Sequence, residues 1–169
     1  MKSFAVFEER IERAARQLPG MPLPQVVAHR LLFFVARNVK ERQNRFLAGF
    51  GLSGSAFIAL AMIFGSEGGV LNPCELSDAL GASRANVSRL VEEMAEAGWV
   101  RRQPAAEDGR RVVLSLTPAG RRLLAKVLPK LWQRILSLWD VFDDQEQAQF
   151  DGLLRKLLTA LEGGALEAA

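Results

Sequence analysis

Only one cysteine and one histidine occur in the 169 residues, Cys74 and His29. A single thiol closes no disulfide within the chain, and two soft ligands fall short of an ordinary zinc site. No metal and no cofactor are therefore expected. Long apolar runs are scarce as well. The longest, Ala56 to Phe64, is nine residues, whereas a membrane helix needs about 20. Phe4 to Phe7 gives way at once to Glu8 and Glu9, too brief for a secretory segment. Enzyme signatures are also missing: there is no Gly-rich phosphate loop, no nucleophile elbow and no paired acids at a plausible site. The expectation is a soluble cytoplasmic chain with no membrane partner and no catalytic activity.

What is present is an ordinary globular composition with unevenly placed charge. With 49% hydrophobic and 24% charged residues, disorder throughout is excluded, and the length suits one domain or two small subdomains. The formal net charge is only +3, yet residues 1–50 carry +5, 51–98 carry −4, 99–122 carry +4 and 140–169 carry −5. A dense basic segment is what a polyanion-binding face needs, because each phosphate contact by Arg or Lys releases counterions. On charge alone a solvated surface is the simpler reading. Local fold must decide.

Hydrophobic spacing predicts a helix over 3–17, with Phe4, Phe7, Ile11, Ala14 and Ala15 on one stripe. A long helix follows over about 24–48, with Val27, Leu31, Phe34, Val35 and Val39 inward. Ser53 caps an apolar helix over 55–64 that must be buried on most sides. Asn72, Pro73 and Glu75 form a helix start, and Gly81 ends the short helix 73–80. Ser83 caps a second helix to about 97. Trp99 to Arg102 reads as a strand, and Arg111 to Leu116 as its return, with Val112, Leu114 and Leu116 on one face. Thr117 and Pro118 open a long helix whose seam is Leu124, Leu128, Leu131, Ile135, Leu138 and Phe142. Pro129 should kink or break it. Asp143 and Glu146 start the last helix, whose seam runs from Phe150 to Leu161.

Short helix, tight turn, longer helix, strand, Gly-containing loop and strand make a winged helix-turn-helix. On a helical wheel Val87, Leu90, Val91 and Met94 pack inward. Ala85, Ser88, Arg89 and Glu92 face out, with Arg84 at the flank. Ala85 lets a backbone approach closely, and Ser88 and Arg89 can reach base edges or phosphates. Ser83 sits at a helix N-terminus that favours a phosphate. Asn86 lies nearer the packed side, where local capping competes with an adenine contact. Arg110 and Arg111, after Asp108-Gly109, place two guanidinium groups at the wing tip, within reach of a minor groove. Asp108 is read as a partner for a nearby arginine. A winged-helix adaptor that binds protein instead of DNA is the competing class.

Leu76-Ser77-Asp78-Ala79-Leu80-Gly81, Val87-Ser88-Arg89-Leu90-Val91, Gly98-Trp99-Val100, Asp108-x-Arg110 and Leu116-Thr117-Pro118-Ala119-Gly120 stand in one ordered set. Together they resemble the MarR family of bacterial transcription regulators. Gly81 to Asn86, Gly98-Trp99 and Val127-Leu128-Pro129 are similar to its EmrR/MprA branch, repressors of multidrug-efflux operons. The resemblance implies a mostly α fold with a small β-wing, a winged helix-turn-helix flanked by N- and C-terminal dimerisation helices. Residues 53–116 would bind DNA, and 1–48 with 117–169 would form the dimer. It further implies an obligate homodimer on a palindromic operator in double-stranded DNA, released by a small aromatic or lipophilic effector. Arg89 would enter the major groove and Arg110 the minor groove. Control of aromatic-compound or stress-response genes is the alternative regulatory role.

Phe33, Phe34, Phe50, Phe57, Phe64, Trp132 and Trp139 are read first as core and dimer interface. The same resemblance makes a subset of the aromatics candidates for the effector pocket; Phe33, Phe57 and Trp132 are singled out here. His29, beside Arg30, joins them as a residue able to meet an anionic ligand. Cys74, with no second cysteine to resolve it, is a weak redox candidate.

Overall fold

The computed structural model describes residues 3–104 and 112–163, and the chain divides into two compact units, 1–120 and 121–169. In the first unit, α1 (Phe4–Ala15) begins where Ser3 Oγ accepts the Ala5 N–H. It packs on α2 (Leu23–Ala48), the Phe4 and Phe34 rings lying 5.4 Å apart. Pro24 sits in the first turn of α2, where a missing N–H breaks no helical bond. Leu31 and Val35, expected inward, are exposed. The reason is length: α1 has 12 residues and α2 has 26, so α1 covers only part of it.

The α3 helix (Gly54–Gly65) is capped by Ser53 Oγ, which accepts the Ala56 N–H at 3.1 Å. It buries Ala56, Phe57, Ala59, Leu60 and Ile63, while Ile58 and Phe64 reach solvent. A 3₁₀ turn leads to β1 (Val70–Leu71) and then α4 (Pro73–Leu80). A capping box opens α4: Asn72 Oδ1 accepts from Cys74 N–H and Glu75 Oε2 accepts from Asn72 N–H, both at 2.8 Å. After α5 (Arg84–Glu96) come β2 (Val100–Pro104) and β3 (Val112–Leu116). The antiparallel sheet has the order β1-β3-β2, with Val70 opposite Ser115 and Arg102 opposite Leu114.

Leu60, Ile63, Leu76, Val91, Met94 and Leu114 form the fully covered centre of this unit. Burial of each such side chain contributes about 1.5–3 kcal/mol. Val112, expected to share the inward face of Leu114 and Leu116, is exposed instead. It pairs with Pro104 at the far end of the ladder and borders an open groove with Cys74, Ser88 and Val91. Trp99 does not open the strand either. Its N–H donates to Met94 O at 2.9 Å and so belongs to the end of α5.

Thr117 Oγ1 accepts the Gly120 N–H and starts α6 (Pro118–Trp139). The helix runs through Pro129 without a break. Val127 and Leu131, buried on either side, keep the turn in place although one backbone donor is missing. In the second unit, α7 (Asp144–Glu162) starts from a capping box of Asp143 and Glu146. The rings of Trp139, Phe142 and Phe150 cluster at the bend, with centroids 5.7–6.0 Å apart. No residue of α7 is buried. Among the described residues no helix is long and apolar enough to cross a membrane.

Candidate nucleic-acid interface

Glycines in the left-handed region frame α5. Gly81, at φ 57°, ends α4, and the bonds Gly81 N–H to Asp78 O and Ala82 N–H to Ser77 O close it. The same pattern recurs at Gly98, φ 71°, with Gly98 N–H to Ala95 O and Trp99 N–H to Met94 O. Both are Schellman closures, which need a residue without a Cβ. They make the turn between α4 and α5 sharp and fix where β2 leaves α5.

Ser83 Oγ accepts the Asn86 N–H at 3.3 Å and caps α5. Val87, Leu90, Val91 and Met94 turn into the core, as the spacing requires. Arg84, Ala85, Ser88 and Arg89 all lie on the solvent side. Asn86, expected nearer the packed face, is exposed as well. Ser83 has taken the capping role, and the Asn86 side chain is left on the open edge. Arg89 Nε stands 3.7 Å from Glu93 Oε1, with the arginine side chain 76% exposed. Such a surface pair contributes at most about 1 kcal/mol, so the guanidinium is easily redirected.

One further residue belongs to the site. Arg102, on β2, reaches back to α5: its Nη2 lies 3.4 Å from Ser88 O and 3.6 Å from Glu92 Oε1. Sequence spacing shows only a basic residue on a strand. Its reach to α5 depends on the way the hairpin packs against that helix.

The MarR family model matches residues 50–111, beginning just after α2. Over 160 residues the chain is 31% identical to the transcriptional repressor MprA of Escherichia coli (strain K12), covering 95% of this chain and 91% of that protein. The chain belongs to the MarR family. It is a DNA-binding transcription regulator and not an enzyme. Among solved structures, the MarR-family regulator AbsC from Streptomyces coelicolor is 25% identical with a TM-score of 0.70, covering 80% of this chain and 93% of that one. A mutant of MarR from E. coli, complexed with operator DNA, shares the fold at 24% identity and a TM-score of 0.68, covering 77% of this chain and 92% of that one.

In this MarR-family chain, Arg110 and Arg111 of the expected wing tip, with Asp108, lie outside the described residues. The four effector candidates lie on three helices, α2, α3 and α6. His29 meets the edge of Phe33 at 4.9 Å on α2, and Phe33 is exposed. Phe57 is buried within α3. Trp132 is exposed on α6 in the second unit. Cys74 is exposed at the start of α4 and lines a groove with Arg84 and Ser88.

Proposed function

We propose that this regulator is a repressor that acts as a homodimer on a palindromic operator, read by α5. One observation carries the reading: Arg84, Ala85, Ser88 and Arg89 form the open face of a capped helix whose other face is locked into the core. In a major groove that face meets base edges with Arg89 and Ser88 while the Ser83 end meets a phosphate. The wing arginines, Arg110 and Arg111, would add a minor-groove contact.

Homodimerisation is supported by α7, which buries nothing within one chain although Leu153, Leu157, Leu158 and Leu161 line it. Residues 1–48 and 117–169 are assigned to that role, and 53–116 to DNA. A small aromatic or lipophilic effector that prefers a different spacing of the two α5 helices lowers operator affinity by its differential affinity for the two states. Control of a multidrug-efflux operon follows from the likeness to the EmrR/MprA branch. A nuclease footprint on the DNA upstream of the chain's own gene, with and without aromatic acids and phenols, tests the whole scheme. A protected palindrome that clears on addition of effector is expected, and no protected site would overturn it.

A further inference from the structure

The charges of α5 run against its dipole. Arg84 is the first residue of the helix and Arg89 follows in its second turn, while Glu92, Glu93 and Glu96 stand in the other half. No acid lies in the first turn and no base in the last. A helix dipole favours the reverse order, acids at the N-terminus and cations at the C-terminus. This order therefore weakens the helix taken alone, and it points to a partner outside the chain. Beside DNA, the arginines and the positive end of the dipole draw phosphates to the first half, and the carboxylates repel them from the second.

Glu93 is placed to do more than repel. Its Oε1 stands 3.7 Å from Arg89 Nε, and the two residues border one groove with Asn86 and with Ser53 and Ser55 at the start of α3. On the other flank of α5, Glu92 pairs with Arg102, which borders a different groove with Arg84 and Ser88. Each carboxylate thus has its own arginine. The Glu93 contact is made to Nε, so both Nη groups of Arg89 remain, the end-on pair that reads guanine O6 and N7.

We propose that Glu93 is a positioning residue that sets DNA specificity: it holds the Arg89 guanidinium end-on for a guanine edge and opposes its diversion to a phosphate. On the operator Arg89 keeps Glu93 while its Nη groups take the base, so the carboxylate stays neutralised as water leaves the interface. On a duplex without that guanine, Arg89 turns to the backbone and leaves Glu93 uncovered beside a polyanion. The pair is weak in water and gains strength where water is displaced, so its effect is felt at DNA and not in folding. This role rests on the reading that α5 enters the major groove, and adds to it a residue that acts through Arg89.

The test compares the unaltered full-length chain with Glu93→Gln, Arg89→Ala, the two combined, and Glu96→Gln. Affinities are measured for the footprinted upstream duplex and for a scrambled duplex at several salt concentrations. The Glu93 side chain is 62% exposed, so the neutral substitute leaves the core untouched, and circular dichroism checks this. Glu93→Gln should bind the scrambled duplex about three- to tenfold more tightly and the footprinted one within about twofold of the unaltered chain, so the ratio falls. With Arg89 already removed, the same substitution should raise both affinities alike and leave the ratio unchanged. Glu96, which has no ion pair among the described residues, should also affect both duplexes alike when changed to Gln. An unchanged ratio in Glu93→Gln overturns the inference. So does an equal fall in the Arg89→Ala background or in Glu96→Gln, since the carboxylate then acts on phosphates without Arg89. A footprint with an unchanged ratio removes the role of Glu93 alone, whereas no footprint by the unaltered chain removes the reading of α5 and this role with it.

Discussion

Gly120 lies so close to Trp99 that a Cβ on the glycine would overlap the Trp99 carbonyl oxygen. That oxygen already accepts the Thr117 N–H at 3.0 Å, and Thr117 Oγ1 donates to Gly98 O at 2.6 Å. The end of α5, the end of β3 and the start of α6 are thus joined at one point, directly behind the helix proposed to enter DNA. An alanine at 120 is favoured in a helix by about 1 kcal/mol, but here it meets backbone that cannot swing aside.

Gly120→Ala is accordingly expected to destabilise the protein by about 1–3 kcal/mol, the usual cost of overpacking. Urea unfolding of the two proteins measures it. An unchanged or raised midpoint would show that the backbone yields at this junction.

A second expectation concerns Arg102. Its contacts with Ser88 O and Glu92 are partly exposed, so Arg102→Met should change stability by less than about 1 kcal/mol. Its effect on operator affinity should be larger than its effect on folding, because the contact holds α5 against the wing. Parallel binding and unfolding measurements separate the two. Loss of stability with intact operator affinity would reduce Arg102 to a surface residue.

What could be read from the sequence was local. Ser83, Asn72 and Asp143 cap helices in the structure at the places their residue types and spacing indicate, and Gly81 and Gly98 end helices as expected. The readings that failed depend on neighbours far away in the chain. Whether Leu31 and Val35 are covered depends on how much of α2 is overlaid by α1. Val112 differs from Leu114 through its place in the hairpin, not through its alternation. A helical wheel places Asn86 from one helix alone and does not see which neighbours leave its edge uncovered. The reach of Arg102 to Ser88 needs two elements already packed. Arg110 and Arg111 lie outside the described residues.

The expectation of a homodimer rests on the second unit. Leu136 is 63% exposed and Val141 72%, and α7 adds Leu153, Leu157, Leu158 and Leu161. So much apolar surface on one chain exceeds the patches of ordinary monomers. Two chains joined through it should bury an obligate-scale area, on the order of 2,000 Å² or more. Sedimentation at micromolar concentration should find only dimer, and Leu154→Glu/Leu158→Glu should give monomer or aggregate. A folded monomer of the unaltered chain at that concentration is the contrary result.

The final expectation separates two arginines by what they read. Among the described residues Arg89 is held by nothing stronger than the Glu93 pair at 3.7 Å, and it stands one turn into α5 on the open face. Arg89→Ala should cost about 1–3 kcal/mol per half-site and relax base preference, as loss of a bidentate contact does. Arg110, placed at the wing tip by sequence, should act through the backbone and the groove potential. Arg110→Ala should weaken operator and scrambled duplex together and lower the salt slope by about one for each lost phosphate-like contact. Both variants should remain folded dimers, since neither side chain belongs to an apolar seam. Affinities for the two duplexes at several salt concentrations distinguish the roles. Equal loss on both duplexes for Arg89→Ala makes it a backbone contact, and unchanged affinity in both variants removes this face as the DNA site.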